Sequence, residues 1–149
     1  MDEANQKKWD QRFMDLAKMV ASWSKDPSTK VGSVIVDRYN RVVSLGYNGF
    51  PRQVDDSPEW YNNREFKYAA VIHAEENAIL FSQRDLTGCT IYVVFHPCSN
   101  CAAKIIQCGI KRVVILKSTS EQIERWGKSF EVAKILFSNA GVKVDELSD

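Results

Sequence analysis

The chain has 149 residues, 44% hydrophobic and 26% charged, with 20 Lys plus Arg against 19 Asp plus Glu and a formal net charge of +1. This composition excludes a mainly disordered chain and predicts a single globular domain over residues 1–149 with a real core. The near-neutral balance argues against a general polyanion binder, yet leaves room for a small anionic ligand held by a few placed cations.

Trp9, Phe13, Leu16, Ala17 and Val20 recur on one helical face, and Asp26-Pro27 disfavours continuation, so a first helix is predicted to stop near Ser24. Val31–Val36 and Arg41–Tyr47, separated by Asp37-Arg38-Tyr39-Asn40, read as a β-hairpin with Ser33 and Ser44 on its wetter side. Residues 48–63 hold Gly49, Pro51, Asp55, Asp56, Pro58 and Asn62, a loop composition with a short helix near Trp60. A loop this long in a small domain is more often functional than decorative. Next come a helix over Ala74–Phe81 and a strand over Thr90–Phe95, ended by Pro97. A helix over Ser99–Cys108, capped by Gly109, precedes a strand over Lys111–Leu116. A helix over Phe130–Asn139, closed by Gly141, leads to a last strand over Val142–Leu147. The order implies an α/β, three-layer α/β/α fold: a mixed five-stranded sheet, antiparallel at the hairpin and parallel in the second half, with helices on both faces.

No apolar run approaches the ~20 residues of a membrane helix, and the charged start MDEANQKKWDQ is unlike a secretory signal. The expected address is the cytoplasm, or the host cytoplasm for a virus-encoded chain. In that reducing compartment the cysteines at 89, 98, 101 and 108 are not expected to form a disulfide framework.

The chemistry concentrates in two segments. His73-Ala74-Glu75 is followed, 22 residues after Glu75, by Pro97-Cys98-Ser99-Asn100-Cys101, and both lie at predicted helix starts. Cys98 and Cys101, one turn apart, can face one metal ion that His73 reaches from the neighbouring helix. Three such ligands suit one catalytic zinc ion, with water in the fourth position, and zinc lowers the pKa of that water. Glu75 is placed to take a proton from the water and pass it to a leaving group. H-x-E followed by P-C-x-x-C is the zinc deaminase signature. Two other readings weigh less. A redox CxxC pair lacks a thioredoxin-like surround, and a structural zinc needs a fourth ligand from Cys89, Cys108 or His96. Cys89 and Cys108 read as small core residues, His96 as a cleft-lining or structural residue, and Glu76 as a helix-start carboxylate. Trp9 and Trp23 read as packing residues. Trp60 and Trp126 lie in polar, loop-like stretches where stacking on a ligand is open but not the default.

Together with these motifs, the segments Asp26-Pro27-Ser28-Thr29-Lys30-Val31-Gly32, Gly46-Tyr47-Asn48-Gly49-Phe50-Pro51-Arg52 and His73-Ala74-Glu75-Glu76-Asn77-Ala78-Ile79 resemble the deoxycytidylate (dCMP) deaminase family, within the cytidine deaminase-like superfamily. The likeness continues through Pro97–Ala102, Gln107–Ile110 and Phe137–Val142 and covers nearly the whole chain. It implies that His73, Cys98 and Cys101 bind zinc, that Glu75 shuttles protons and that Asn48 meets the sugar hydroxyl. It also implies a homo-oligomer, commonly a hexamer, activated by dCTP and inhibited by dTTP with Mg2+ accompanying the triphosphate. Asn48, Gly49, Pro51, Arg52 and Glu59 then neighbour the regulator, and Trp126 falls where relatives often carry Tyr near the ligand phosphate. The chain lacks the extra Cys and His of a second, structural zinc. It departs from the pattern at His96 and at Gln53-Val54, after Arg52.

The implied reaction is hydrolysis of dCMP at C4 to dUMP and ammonia, a supply for thymidylate synthesis, with Glu75 protonating N3 and then the departing amine. Lys30, Arg52, Arg112 and Arg125 are phosphate candidates, Lys30 first by family position. The alternatives are an enzyme acting on both dCTP and dCMP, a tRNA or polynucleotide base deaminase, and a non-catalytic zinc module that senses nucleotides. The +1 charge and Asp55-Asp56 disfavour a nucleic-acid partner, and Glu75 disfavours the non-catalytic module. At this length a regulatory switch has to be built from residues 48–63 and neighbouring subunits.

Overall fold

The computed structural model describes residues 2–149. Helix α1 (Glu3–Ala21) starts on Asp2, whose side chain accepts the Asn5 N–H at 2.8 Å. Strands β1 (Gly32–Val36) and β2 (Val42–Tyr47) form the expected hairpin. Two short helices follow, α2 (Pro58–Asn62) and α3 (Arg64–Ala70), then α4 (Ala74–Ser82) and β3 (Thr90–Val93). The chain closes with α5 (Ser99–Gln107), β4 (Arg112–Leu116), α6 (Ser120–Ala140) and β5 (Lys143–Leu147).

The five strands form one sheet in the order β2-β1-β3-β4-β5, antiparallel across the first three and parallel across the last three. Alternation along the strands divides the core. Val34, Val36, Tyr92 and Val114 face α1, where Phe13, Met14 and Ala17 bury. Ile35, Ile91, Val93, Val113 and Ile115 face the other way, against Ala78 of α4, Ala102 and Ile105 of α5, and Ala133 and Phe137 of α6. The three layers read from the sequence are therefore present.

Small side chains let α4 lie close on the hairpin. A Cβ on Gly46 would meet the Ala74 carbonyl oxygen at 2.3 Å and the Ala78 nitrogen at 2.4 Å. Ser33 Oγ donates to the Ala74 carbonyl at 2.9 Å, and Ser44 Oγ donates to the Ala78 carbonyl at 2.7 Å. Both serines are buried, correcting their assignment to a wetter side. Their hydroxyls are satisfied by helix carbonyls rather than by water.

Helix α6 begins ten residues before the expected Phe130, because Thr119 and Gln122 form a capping box. Gly127 disguises the apolar spacing in between. Trp126 therefore stands on a helix rather than in a loop, and Trp60 lies on α2, the short helix expected near it. Trp23 is also corrected: it is half exposed and meets Tyr47 edge-on, whereas Trp9 stacks on Phe13 as expected. Helix α3 fills a stretch to which the sequence assigned nothing. Among the described residues no helix is long and apolar enough to cross a membrane.

Candidate active site

The N-termini of α4 and α5 converge beside the carboxyl end of β3, where crevices form in open α/β sheets. His73 is the N-cap residue of α4, Cys98 that of α5, and Cys101 lies one turn into α5. His73 Nδ1 is 3.6 Å from Cys98 Sγ and 3.2 Å from Cys101 Sγ, and the three atoms lie within 4.8 Å of one another. A tetrahedral zinc with Zn–N of about 2.1 Å and Zn–S of about 2.3 Å holds N and S roughly 3.6 Å apart. The donor set fits zinc in spacing and in softness.

The electrostatics favour an ionised thiolate at Cys98. The hydrogen bond from Cys101 and then that with His73 bring the Cys98 thiol down to about 4 despite burial. The same bond, together with burial, pushes the Cys101 thiol up. The bond to Cys98 raises His73 to about 9 against its burial. Positive helix ends add to the stabilisation of a thiolate. Glu75 is 4% exposed, and burial raises its carboxyl to about 7, with His73 opposing the shift. A carboxyl near neutrality both accepts and returns a proton. Glu76 instead accepts the His73 backbone N–H at 2.9 Å and pairs with Lys104 of α5, joining α4 to α5.

His73, Glu75 and Cys98 open onto a cavity of about 510 Å³. Its walls include Asp26, Asn48, Lys67, Phe95, His96 and Trp126. That volume suits a ligand of nucleotide size. The His96 ring lies on Phe130 at 4.5 Å, and its Nδ1 donates to the Pro97 carbonyl at 2.8 Å. It is a buried cleft-lining residue, outside the three-residue cluster. Asn48 is buried; its Oδ1 accepts the Val31 N–H at 2.8 Å and its Nδ2 donates to the Thr29 carbonyl at 2.9 Å.

The cations sort differently from the sequence expectation. Arg125 lines the cavity, and its Nη2 donates to the Tyr68 hydroxyl at 2.6 Å. Lys30 does not line it; its ammonium donates to the Ser24 carbonyl. Arg112 is bound to Asp10 at 2.7 Å and to Asp145 at 2.8 Å, packed toward α1. Arg52 lies over the Phe81 ring, 5.5 Å from its centroid. Gly49, Pro51, Arg52 and Glu59 are all outside the cavity wall. The sequence reading missed Arg64, Lys67, Tyr68 and Phe130 in the wall. For Lys67 the available signal was a lysine flanked by Phe66 and Tyr68, a pattern that also fits a surface helix.

Comparison with known proteins agrees with this geometry. Residues 7–117 match the family described as the cytidine and deoxycytidylate deaminase zinc-binding region. The chain is 53% identical over 137 residues to an "Uncharacterized deaminase in luxG 3'region" from Aliivibrio fischeri, covering 92% of each chain. It is 41% identical over 140 residues to the deoxycytidylate deaminase of Mus musculus, covering 90% of this chain and 76% of that one. In structure it resembles the dCMP deaminase of cyanophage S-TIM5 in apo form, with a TM-score of 0.72, 21% identity and coverage of 99% and 100%. A buried carboxyl beside a His-Cys-Cys donor set, on this fold and with these relatives, marks an enzyme, and the chain belongs to the zinc-binding cytidine and deoxycytidylate deaminase family.

Proposed function

We propose that the protein hydrolyses dCMP to dUMP and ammonia, acting in the cytoplasm. The observation that carries this reading is the Glu75 carboxyl, buried on the cavity wall beside His73 and Cys98. The 41% identity to the mouse deoxycytidylate deaminase supports the choice of substrate.

His73, Cys98 and Cys101 would hold the zinc, which when bound supplies Lewis acidity that makes a water acidic near neutral pH. Glu75 takes a proton from water and delivers it to N3 of the cytosine ring. As the water oxygen bonds to C4, the C4–N bond weakens, and a second proton passes through Glu75 to the amine, which leaves as ammonia. Burial of Glu75 keeps its proton from exchanging with bulk water. Phe95, His96 and Phe130 form flat walls suited to a base. The second lone pair of Asn48 Oδ1 is free for a sugar hydroxyl. Arg125, beside Trp126 at the cavity wall, supplies the cation for the 5′-phosphate, in place of Lys30.

Regulation by dCTP and dTTP, with Mg2+, is assigned to Gly49, Pro51, Arg52 and Glu59. Gly49 and Ile72 exchange both backbone hydrogen bonds, at 3.1 and 2.8 Å, one residue before His73. A ligand that moves this loop thereby pulls on a metal ligand. Exposed Tyr47, Leu80 and Phe81 beside edge strand β2 support assembly into a homo-oligomer, a hexamer by resemblance.

The test is ammonia release from dCMP, dCTP, cytidine and adenosine, with and without dCTP or dTTP. Release from dCMP, stimulated by dCTP, is the expected result. No release from dCMP in any condition overturns the assignment.

A further inference from the structure

Lys67 is a buried cation in the cavity wall, the position in which a phosphate ligand would be sought. Its partners also tie it to the protein itself. Lys67 Nζ lies 2.9 Å from Asp26 Oδ1, 2.7 Å from Asp26 Oδ2 and 2.8 Å from Ser28 Oγ. The two oxygens of one carboxylate lie too close together to take separate N–H groups of an ammonium, so one N–H is shared between them and a second goes to Ser28. Its charge is paired inside the wall, with Asp26 and Ser28 as its protein partners.

Asp26, in turn, is the hub of the facing wall. It is fully buried, and its Oδ1 accepts the backbone N–H groups of Ser28 and Thr29 at 2.9 and 3.2 Å. Its Oδ2 lies 3.4 Å from Asn48 Nδ2. Asp26 therefore helps decide which face of the Asn48 amide is presented to the cavity. The next residue on α3 reaches the opposite wall. Tyr68 accepts from Arg125 at 2.6 Å and meets the Trp126 ring edge-on at 6.2 Å. Helix α3 has α2 as its principal packing neighbour among the elements, with Phe66 against Phe50 and Trp60, and Lys67 and Tyr68 tie it to Asp26 and to Arg125 of α6.

We infer that the Lys67–Asp26 pair is a positioning device: it anchors α3 so that Asn48 on one wall and Arg125 on the other stand at the right separation for the sugar and phosphate of one nucleotide. The inference rests on the reading of the cavity as a mononucleotide site. Its kinetic signature is loss of ground-state binding, in KM, with the zinc site intact.

The experiment measures kcat, KM, zinc content and melting temperature for the zinc-loaded full chain. The variants are Lys67→Met, Lys67→Arg and the double variant Asp26→Asn/Lys67→Met. The double variant leaves no unpaired buried charge, so it remains informative if Lys67→Met fails to fold. The folded variants lacking the ion pair are expected to raise KM for dCMP about tenfold or more at unchanged zinc content, and Lys67→Arg to recover part of it. A rise in KM of less than about threefold in the folded double variant, or loss of its zinc, overturns the inference. Failure of the wild type to deaminate dCMP is a different result, and overturns the functional reading instead.

Discussion

The two sides of the cavity are built on different principles. On the metal side, His73, Glu75, Cys98 and Cys101 sit at or within the first turn of two regular helices, and their relative placement follows from helix geometry. On the other side, the turn at residues 24–30, Asn48 and α3 contribute little regular structure to one another. They are held by side-chain hydrogen bonds between residues 17 to 41 positions apart. His73, Glu75, Cys98 and Cys101 are placed by short-range helix geometry, which tolerates little error; Asn48 and Lys67 are placed by long-range polar contacts.

That contrast can be broken or sharpened by experiment. The largest effect is expected from Cys98→Ala: metal analysis of the purified protein should show zinc lost and deamination abolished. Glu75→Ala should retain zinc and lower kcat by a factor of about 10²–10⁴, with the loss in turnover rather than binding. Normal turnover in that variant removes the basis of the assignment. Arg125→Gln should leave the metal donors untouched, raising KM for dCMP about tenfold while KM for deoxycytidine, which lacks the phosphate, changes much less. Equal effects on both substrates would show that Arg125 is not the phosphate cation. Arg112→Met lies outside the cavity and should cost on the order of 3 kcal/mol of stability, read by denaturant unfolding, because it strands the buried Asp10.

The smallest effect is a pH dependence of stability. Burial raises the carboxyls of Asp26 and Asp10, but hydrogen bonds from Lys67 and from Arg112 outweigh it, and both end below their ordinary value. A depressed carboxylate stabilises the fold fully above its unfolded pKa of about 3.9, and that contribution is lost as pH falls through the lower folded value. Melting temperature should therefore drop below about pH 4, and less steeply in the Asp26→Asn/Lys67→Met variant.

Much of this was legible in the residues. The strand positions, the hairpin and the helix starts at His73 and Cys98 are local signals, and the structure carries each within a residue or two. The start of α6 was not, because Gly127 interrupts the pattern although Thr119 and Gln122 mark the cap. Nor were the buried serines: a hydroxyl looks polar in sequence, and only a helix carbonyl at 2.7–2.9 Å reveals why it is inside.

The sequence by itself determined the chemical centre, since the offsets His73 to Glu75 and Cys98 to Cys101 act through a single helical turn each. Tertiary structure alone decided which cations serve the cavity. Lys30, Arg52, Arg112 and Arg125 are equal as letters, and so is Lys67. Their surroundings separate only when the fold brings a carbonyl to Lys30, a ring to Arg52, two carboxylates to Arg112, Asp26 to Lys67 and the Tyr68 hydroxyl to Arg125, with the last two in the cavity wall. A charge's function is set by the partners that satisfy it, and those partners are distant in the chain.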